Sequence, residues 1–175
     1  MKKLIVSLVM LLVFAIHPAT KYEIISKTLS FEGTKLEGTS KRGIEQATLN
    51  TYNKKFGTKW KLSTLTHDQA VDVLDKLYWN DRLNYINDDK VKQFIFDWSM
   101  NSNPAVAYKL IHKLFGLKPQ STLSLDLVVA INNTNHNVAL MKLYNSRLSY
   151  LKSLKSWKKY GRGWKVRLDK LMAEI

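Results

Sequence analysis

Cysteine is absent from this chain, and only three prolines and seven glycines punctuate its 175 residues. Without cysteine there is no disulfide, no thiol nucleophile and no zinc–thiolate site, so packing alone must hold the fold. Acidic side chains are scarce as well: 14 stand against 28 lysines and arginines, a net charge of +14. That imbalance points to a polyanionic neighbourhood. Histidine occurs only at 17, 67, 112 and 136, with no pair four apart enclosing a carboxylate, which excludes a zincin site. The isolated histidines read as surface or helix-face residues. No G-x-S-x-G elbow and no phosphate-cradling G-x-x-x-x-G-K is present. Long alternating strands, internal repeats, low-complexity tracts and linkers are also missing.

One apolar run stands out. Lys2-Lys3 precede an almost unbroken stretch from Leu4 to Ile16, which His17-Pro18-Ala19-Thr20 ends. Basic, then apolar, then small or helix-breaking is the order of a secretory signal. At about 13 residues the run falls short of the ~20 that a spanning helix needs. Residues 1–20 are therefore expected to be a signal peptide or signal-anchor that directs export to the periplasm, cell wall or exterior. For an exported basic chain, cell-wall polymers and anionic lipid are the expected partners, and nucleic acid is not.

The remaining 155 or so residues are enough for one well-filled core. Apolar positions at Tyr22, Ile25 and Leu29 predict a helix over 22–31, ending at Glu32-Gly33. Glycines at 33, 38 and 43 suit a tight loop or small hairpin. Ile44–Phe56 reads as a helix closed by Gly57. Thr66 and Gln69 form the two ends of a capping box, and Asp88-Asp89 place negative charge where a helix dipole favours it. Pro104 opens the next helix, which Gly116 closes. Further helices are predicted near 123–131, 137–154 and 164–172. The fold class is all-α, a compact helical domain with room for one small hairpin or loop after the first helix.

The chemistry concentrates in residues 31–44. Glu32 falls at the C-terminal end of an apolar-faced helix. The negative end of the helix dipole and the neighbouring Leu29 and Phe31 both favour a neutral carboxyl group there. A glycosidase acid must hold a proton in that way. Glu37 offers a second carboxylate on the loop. Read locally, an ordinary solvated glutamate beside a helix-ending glycine fits the same residues.

Four motifs in order narrow this choice. Phe31-Glu32-Gly33, then Gly38-Thr39-Ser40-Lys41-Arg42-Gly43-Ile44, then Tyr78-Trp79-Asn80-Asp81, then Phe96-Asp97-Trp98-Ser99-Met100-Asn101-Ser102 are followed by Gly161-Arg162-Gly163-Trp164 and Arg167. Together they resemble the glycoside hydrolase family 108 muramidases, phage and bacterial lysozymes, with the peptidoglycan-binding module that follows their catalytic part. The sequence departs from that pattern at Thr34, where the family has a second glycine, and at Ser40, where it has threonine. The loop is shortened, and Lys118-Pro119-Gln120-Ser121 replaces the module's glycine-containing turn.

The resemblance implies a catalytic part over 21–87 and a helical peptidoglycan-binding part over 88–175. It implies an N-acetylmuramidase that hydrolyses the β-1,4 bond between N-acetylmuramic acid and N-acetylglucosamine, with Glu32 as general acid. Glu37 is the candidate for the water-activating role. Thr39, Ser40, Trp79 and Asn101 are candidate substrate-binding residues: hydroxyls that position a water, an indole face for a sugar ring, and an amide paired with Asp97 on one helix face. Trp164 reads as core. No metal or organic cofactor is implied, and a monomer is expected. Residues 142–170 carry ten basic side chains against Asp169 alone. Lys152, Lys155 and Lys159 share helical spacing there, so this stretch reads as a basic helix face for anionic wall or membrane surfaces. Two other readings fit the sequence, a non-catalytic wall-binding protein on the same fold and a cationic membrane-active protein.

Overall fold

A computed structural model of the chain describes residues 19–32, 36–38 and 40–175, with the backbone alone at 36 and 37. The apolar run of the export segment, the glycine turn at Gly33 and the candidate Thr39 lie outside the described residues.

Among the described residues the chain forms eight α-helices and a small antiparallel sheet: α1 Lys21–Ser30, β1 Leu36–Glu37, β2 Ser40–Lys41, β3 Ile44–Glu45, α2 Gln46–Phe56, α3 His67–Tyr78, α4 Asp89–Asn101, α5 Pro104–Leu114, α6 Leu125–Asn132, α7 His136–Ser153 and α8 Trp157–Glu174. Short 3-10 turns at Leu62–Thr64 and Asp81–Tyr85 join neighbouring helices. Among the described residues no helix is long and apolar enough to cross a membrane.

Local chemistry explains most boundaries. Thr66 and Gln69 close a reciprocal capping box on α3, and Thr20 with Glu23 does the same on α1. Asp88 caps α4 through the Val91 N–H, while Asn103 caps α5 with Pro104 in its first turn. Around Gly38 and Gly43 the short strands pair in the order β1–β2–β3, with Glu37 opposite Ser40 and Lys41 opposite Ile44. Arg42-Gly43 joins β2 to β3 with φ of 52° and 70°. Two left-handed residues in a two-residue loop are the turn that matches strand twist.

Some expectations need correction. Ile44 and Glu45 form β3 in place of the first residues of α2. The last helix starts at Trp157, seven residues before the predicted Trp164, and runs through Gly161 and Gly163. Glycine is a poor helix former, so neither residue favours the helix by its own propensity. Gly161 instead gives room to Trp157, because a β-carbon there would lie 2.4 Å from the indole ring. The chain breaks between α7 and α8 at Leu154. The lysines therefore do not share one helix face: Lys152 lies on α7, Lys155 in the break and Lys159 on α8.

The core centres on α4, from which Phe94, Phe96 and Trp98 are fully buried. It packs against α1, α3, α5 and α7, and α7 packs against α8. One continuous apolar cluster joins Ile25 and Leu29 of α1 to Leu168 and Leu171 of α8. Each large side chain so buried contributes about 1.5–3 kcal/mol. This continuity brings the end of α1 to the middle of α8, where the candidate site lies. His112, read as a surface or helix-face residue, is fully buried; its ring nitrogens meet the Tyr108 carbonyl and Ser124 Oγ, tying α5 to the start of α6.

Candidate active site

Glu32 follows Phe31, which caps α1, and its backbone N–H donates to the Leu29 carbonyl at 3.0 Å. The helix end thus fixes the backbone from which the carboxylate projects. Gly43 presses on the side chain from the β2–β3 turn. A β-carbon at Gly43 would stand 2.6 Å from Glu32 Cγ, closer than any real contact allows. Glycine is needed at 43 twice over, for its φ of 70° and for this approach.

The surroundings of the carboxylate are not the apolar pocket expected from Leu29 and Phe31. Arg167 of α8 reaches it, with Nη1 at 2.5 Å from Glu32 Oε1. The same guanidinium donates from Nη2 to Asp97 Oδ2 at 2.9 Å. Arg147 of α7 donates from Nη1 to Asp97 Oδ1 at 2.7 Å. Glu32, Arg167, Asp97 and Arg147 therefore form one chain of alternating charges linking α1, α8, α4 and α7. Its inner end is deep: the side chains of Asp97 and Arg147 are 1% and 5% exposed, against 23% for Glu32 and 21% for Arg167. Burial pushes the Arg147 guanidinium's pKa down, and the Asp97 carboxylate works against that push. Arg167 also lies over the Phe31 ring at 5.7 Å, and Lys170 joins it at 5.4 Å.

The other candidate residues fall into two groups. Ser40 lies half-buried on β2 with Glu37 as its cross-strand partner, on the sheet whose turn carries Gly43. Asn101 donates to the Asp97 backbone carbonyl and helps line a cavity of about 150 Å³ beside Arg147 and Arg167. Trp79 sits elsewhere in this pattern of contacts: it caps α3 and packs its ring 5.3 Å from Phe96. Trp164, read as core, is half-buried and lines the same cavity as Asn101. Among the described residues no three histidine, aspartate or glutamate side chains gather as metal ligands.

The reading of the residues alone missed Arg147 and the pairing of Arg167 with Glu32. Arg147 carried a usable signal. It follows Leu140 and Leu143 at helical spacing, which puts a charge on the inward face of α7 and demands a buried partner.

Residues 29–102, from the end of α1 through α4, match the family model for glycosyl hydrolase 108. The match indicates a glycoside hydrolase. It takes in Glu32, Gly43, Trp79, Asp97 and Asn101, and ends before Arg147 and Arg167. No curated protein matches the chain. A solved structure of Brucella abortus SagA is similar over 88% of this chain and 92% of that one, with a TM-score of 0.71 and 22% identity. That likeness shows the fold, and it extends through the helices beyond the family match.

Proposed function

We propose that the protein is a peptidoglycan hydrolase, an N-acetylmuramidase that cleaves the β-1,4 bond between N-acetylmuramic acid and N-acetylglucosamine. The observation that carries this reading is Glu32, inside the residues that match glycosyl hydrolase 108, anchored by a helix end and pressed into place by Gly43.

In the reaction Glu32 gives its proton to the leaving glycosidic oxygen as that bond breaks and an oxocarbenium-like centre forms. Water then adds its oxygen to the anomeric carbon and passes a proton to a basic group. Glu37 is the proposed base, with Ser40 and Thr39 positioning the water. The sheet supports this assignment because its register pairs Glu37 with Ser40 on the strands that lead to Gly43. No cofactor takes part. Residues 21–87 supply the catalytic side chains and Trp79 for stacking on a sugar, and residues 88–175 hold the glycan, with Asn101 on the wall of the binding cleft. The N-terminal segment directs export, and the basic side chains between Lys142 and Lys170 draw the protein to anionic wall polymers.

Mass spectrometry of purified peptidoglycan after digestion tests the assignment. Fragments ending in a reducing N-acetylmuramic acid are expected. Fragments released only by peptide or amide cleavage would overturn it.

A further inference from the structure

Arg167 serves two carboxylates at once, Glu32 through Nη1 and Asp97 through Nη2. With Glu32 ionised, the two guanidiniums and two carboxylates of the cluster balance. A general acid, however, must carry a proton when it acts. Protonating Glu32 removes one negative charge and leaves Arg147 and Arg167 against Asp97 alone. That excess sits where it is costly, because Arg147 and Asp97 are almost wholly buried. The working state of the site therefore lacks one anion, and the Nη1 face of Arg167 loses its ionic partner.

Space for an anion adjoins the Arg167 side chain. The cavity of about 150 Å³ is walled by Arg147 and Arg167, by Asn101 and Ser102 from the end of α4, and by Tyr150 and Trp164. Arg147 is only 4% exposed, and the Nε atoms of both arginines have no hydrogen-bond partner, so neither guanidinium is saturated. A cavity of this size accepts a benzene-sized group. It fits a charged substituent of a sugar and is too small for a glycan strand. The tyrosine and tryptophan offer apolar walls to the carbon skeleton of that substituent.

We propose that this cavity receives a carboxylate of the glycan substrate, which takes the place of Glu32 on Arg167. The proposal rests on the reading of Glu32 as general acid. Substrate binding and release of Glu32 are then one event: the incoming carboxylate supplies the missing charge, and Glu32, freed from Arg167, takes a proton from solvent and turns to the glycosidic oxygen. A glycan without carboxylates would leave Glu32 clamped. Two groups of the substrate share the required chemistry, the lactyl carboxylate of N-acetylmuramic acid and the free carboxylates of its attached peptide.

Monosaccharide probes separate these sources and have no bond for the enzyme to cut. Nuclear magnetic resonance titrations of wild type and Glu32→Gln are made with N-acetylmuramic acid, with N-acetylmuramoyl-alanyl-glutamate, whose lactyl group is tied up as an amide, and with neutral N-acetylglucosamine. Glu32→Gln removes the competing charge at constant size, so it should bind an acidic probe at least about tenfold tighter than wild type does, the worth of one charge-assisted hydrogen bond. Neutral N-acetylglucosamine should show no such gain. A gain for N-acetylmuramic acid assigns the cavity to the lactyl carboxylate; a gain for the peptide-bearing probe alone assigns it to the peptide. Arg167→Lys, which keeps a charge near Asp97 but loses the two-sided fork, should weaken acid binding. Equal affinity of wild type and Glu32→Gln for both acidic probes would overturn the proposal, whatever Arg167→Lys does. Lysis of peptidoglycan is measured separately: lysis without acid preference removes the cavity's role alone, and acid preference without lysis removes the catalytic reading while the binding site stands.

Discussion

Gly43 and Glu32 constrain each other within a single van der Waals contact. Gly43→Ala would place a methyl group inside the Glu32 side chain and force a left-handed residue to carry a β-carbon. Activity should fall by about 10²-fold, the cost of misplacing a catalytic group by an ångström, with a stability loss of about 1 kcal/mol. Rate assays beside urea denaturation check both, and unchanged activity would mean that Glu32 does not need its seat. Asp97 poses a different test. Asp97→Asn leaves the buried Arg147 without its carboxylate and should cost about 3–5 kcal/mol in urea denaturation. Glu32 was legible in the sequence because a carboxylate before a glycine turn at a helix end is a local pattern. Its pairing with Arg167 was not, since 135 positions separate the two and nothing local in either segment announces the other.

At the level of elements, the helix starts were the most readable features, because caps are short-range chemistry: Thr66, Asp88 and Pro104 each open the helix expected of them. Glycines were readable only where they turn the chain. Gly43, Gly57 and Gly116 have φ near 70°, whereas Gly161 lies inside α8 for the sake of Trp157. Packing across a helix face decided that last case, and composition does not reveal it. The join between α1 and α4 also carries a pH dependence. Burial pushes the Asp89 carboxyl up, but the charge-assisted bond from Lys92 and the Ala19 N–H bond outweigh it and hold its pKa below the usual 3.8. A carboxylate with a lowered folded value stabilises the fold above its unfolded pKa and loses that contribution as pH falls through the folded one. Thermal melts should therefore show wild type losing its advantage over Asp89→Asn as pH drops below about 4. A constant difference from pH 7 to 2 would mean the carboxylate contributes no charge-dependent stability.

Across the whole molecule, one core spans what the sequence suggested as two functional parts, and the site is assembled from both: Glu32 and Gly43 come from the first, Asp97, Arg147 and Arg167 from the second. The all-helical class and the small hairpin were evident from periodicity and glycine spacing. The union of α1 with α8 was not, because it depends on how helices stack. The net charge of +14 acts at this scale as well. Lys152, Lys155, Lys158 and Lys159 are exposed around the turn from α7 to α8. Reversing all four to glutamate should weaken binding to peptidoglycan sacculi and flatten its salt dependence, since exposed charges act over only about 8 Å at physiological ionic strength. Cleavage of a short soluble glycan should change little, and equal losses on polymer and fragment would rule out a steering role.

The central claim is that Glu32 supplies the proton that breaks the glycan. Glu32→Gln keeps the side chain's size but has no acidic proton to give. Solubilisation of purified peptidoglycan by wild type and Glu32→Gln, at equal concentration and with the fold checked by circular dichroism, measures the claim most directly. A fall of at least about 10²-fold is expected. Retention of more than about a tenth of wild-type activity would contradict the account, since acid catalysis by a positioned carboxyl typically supplies at least about 10²-fold.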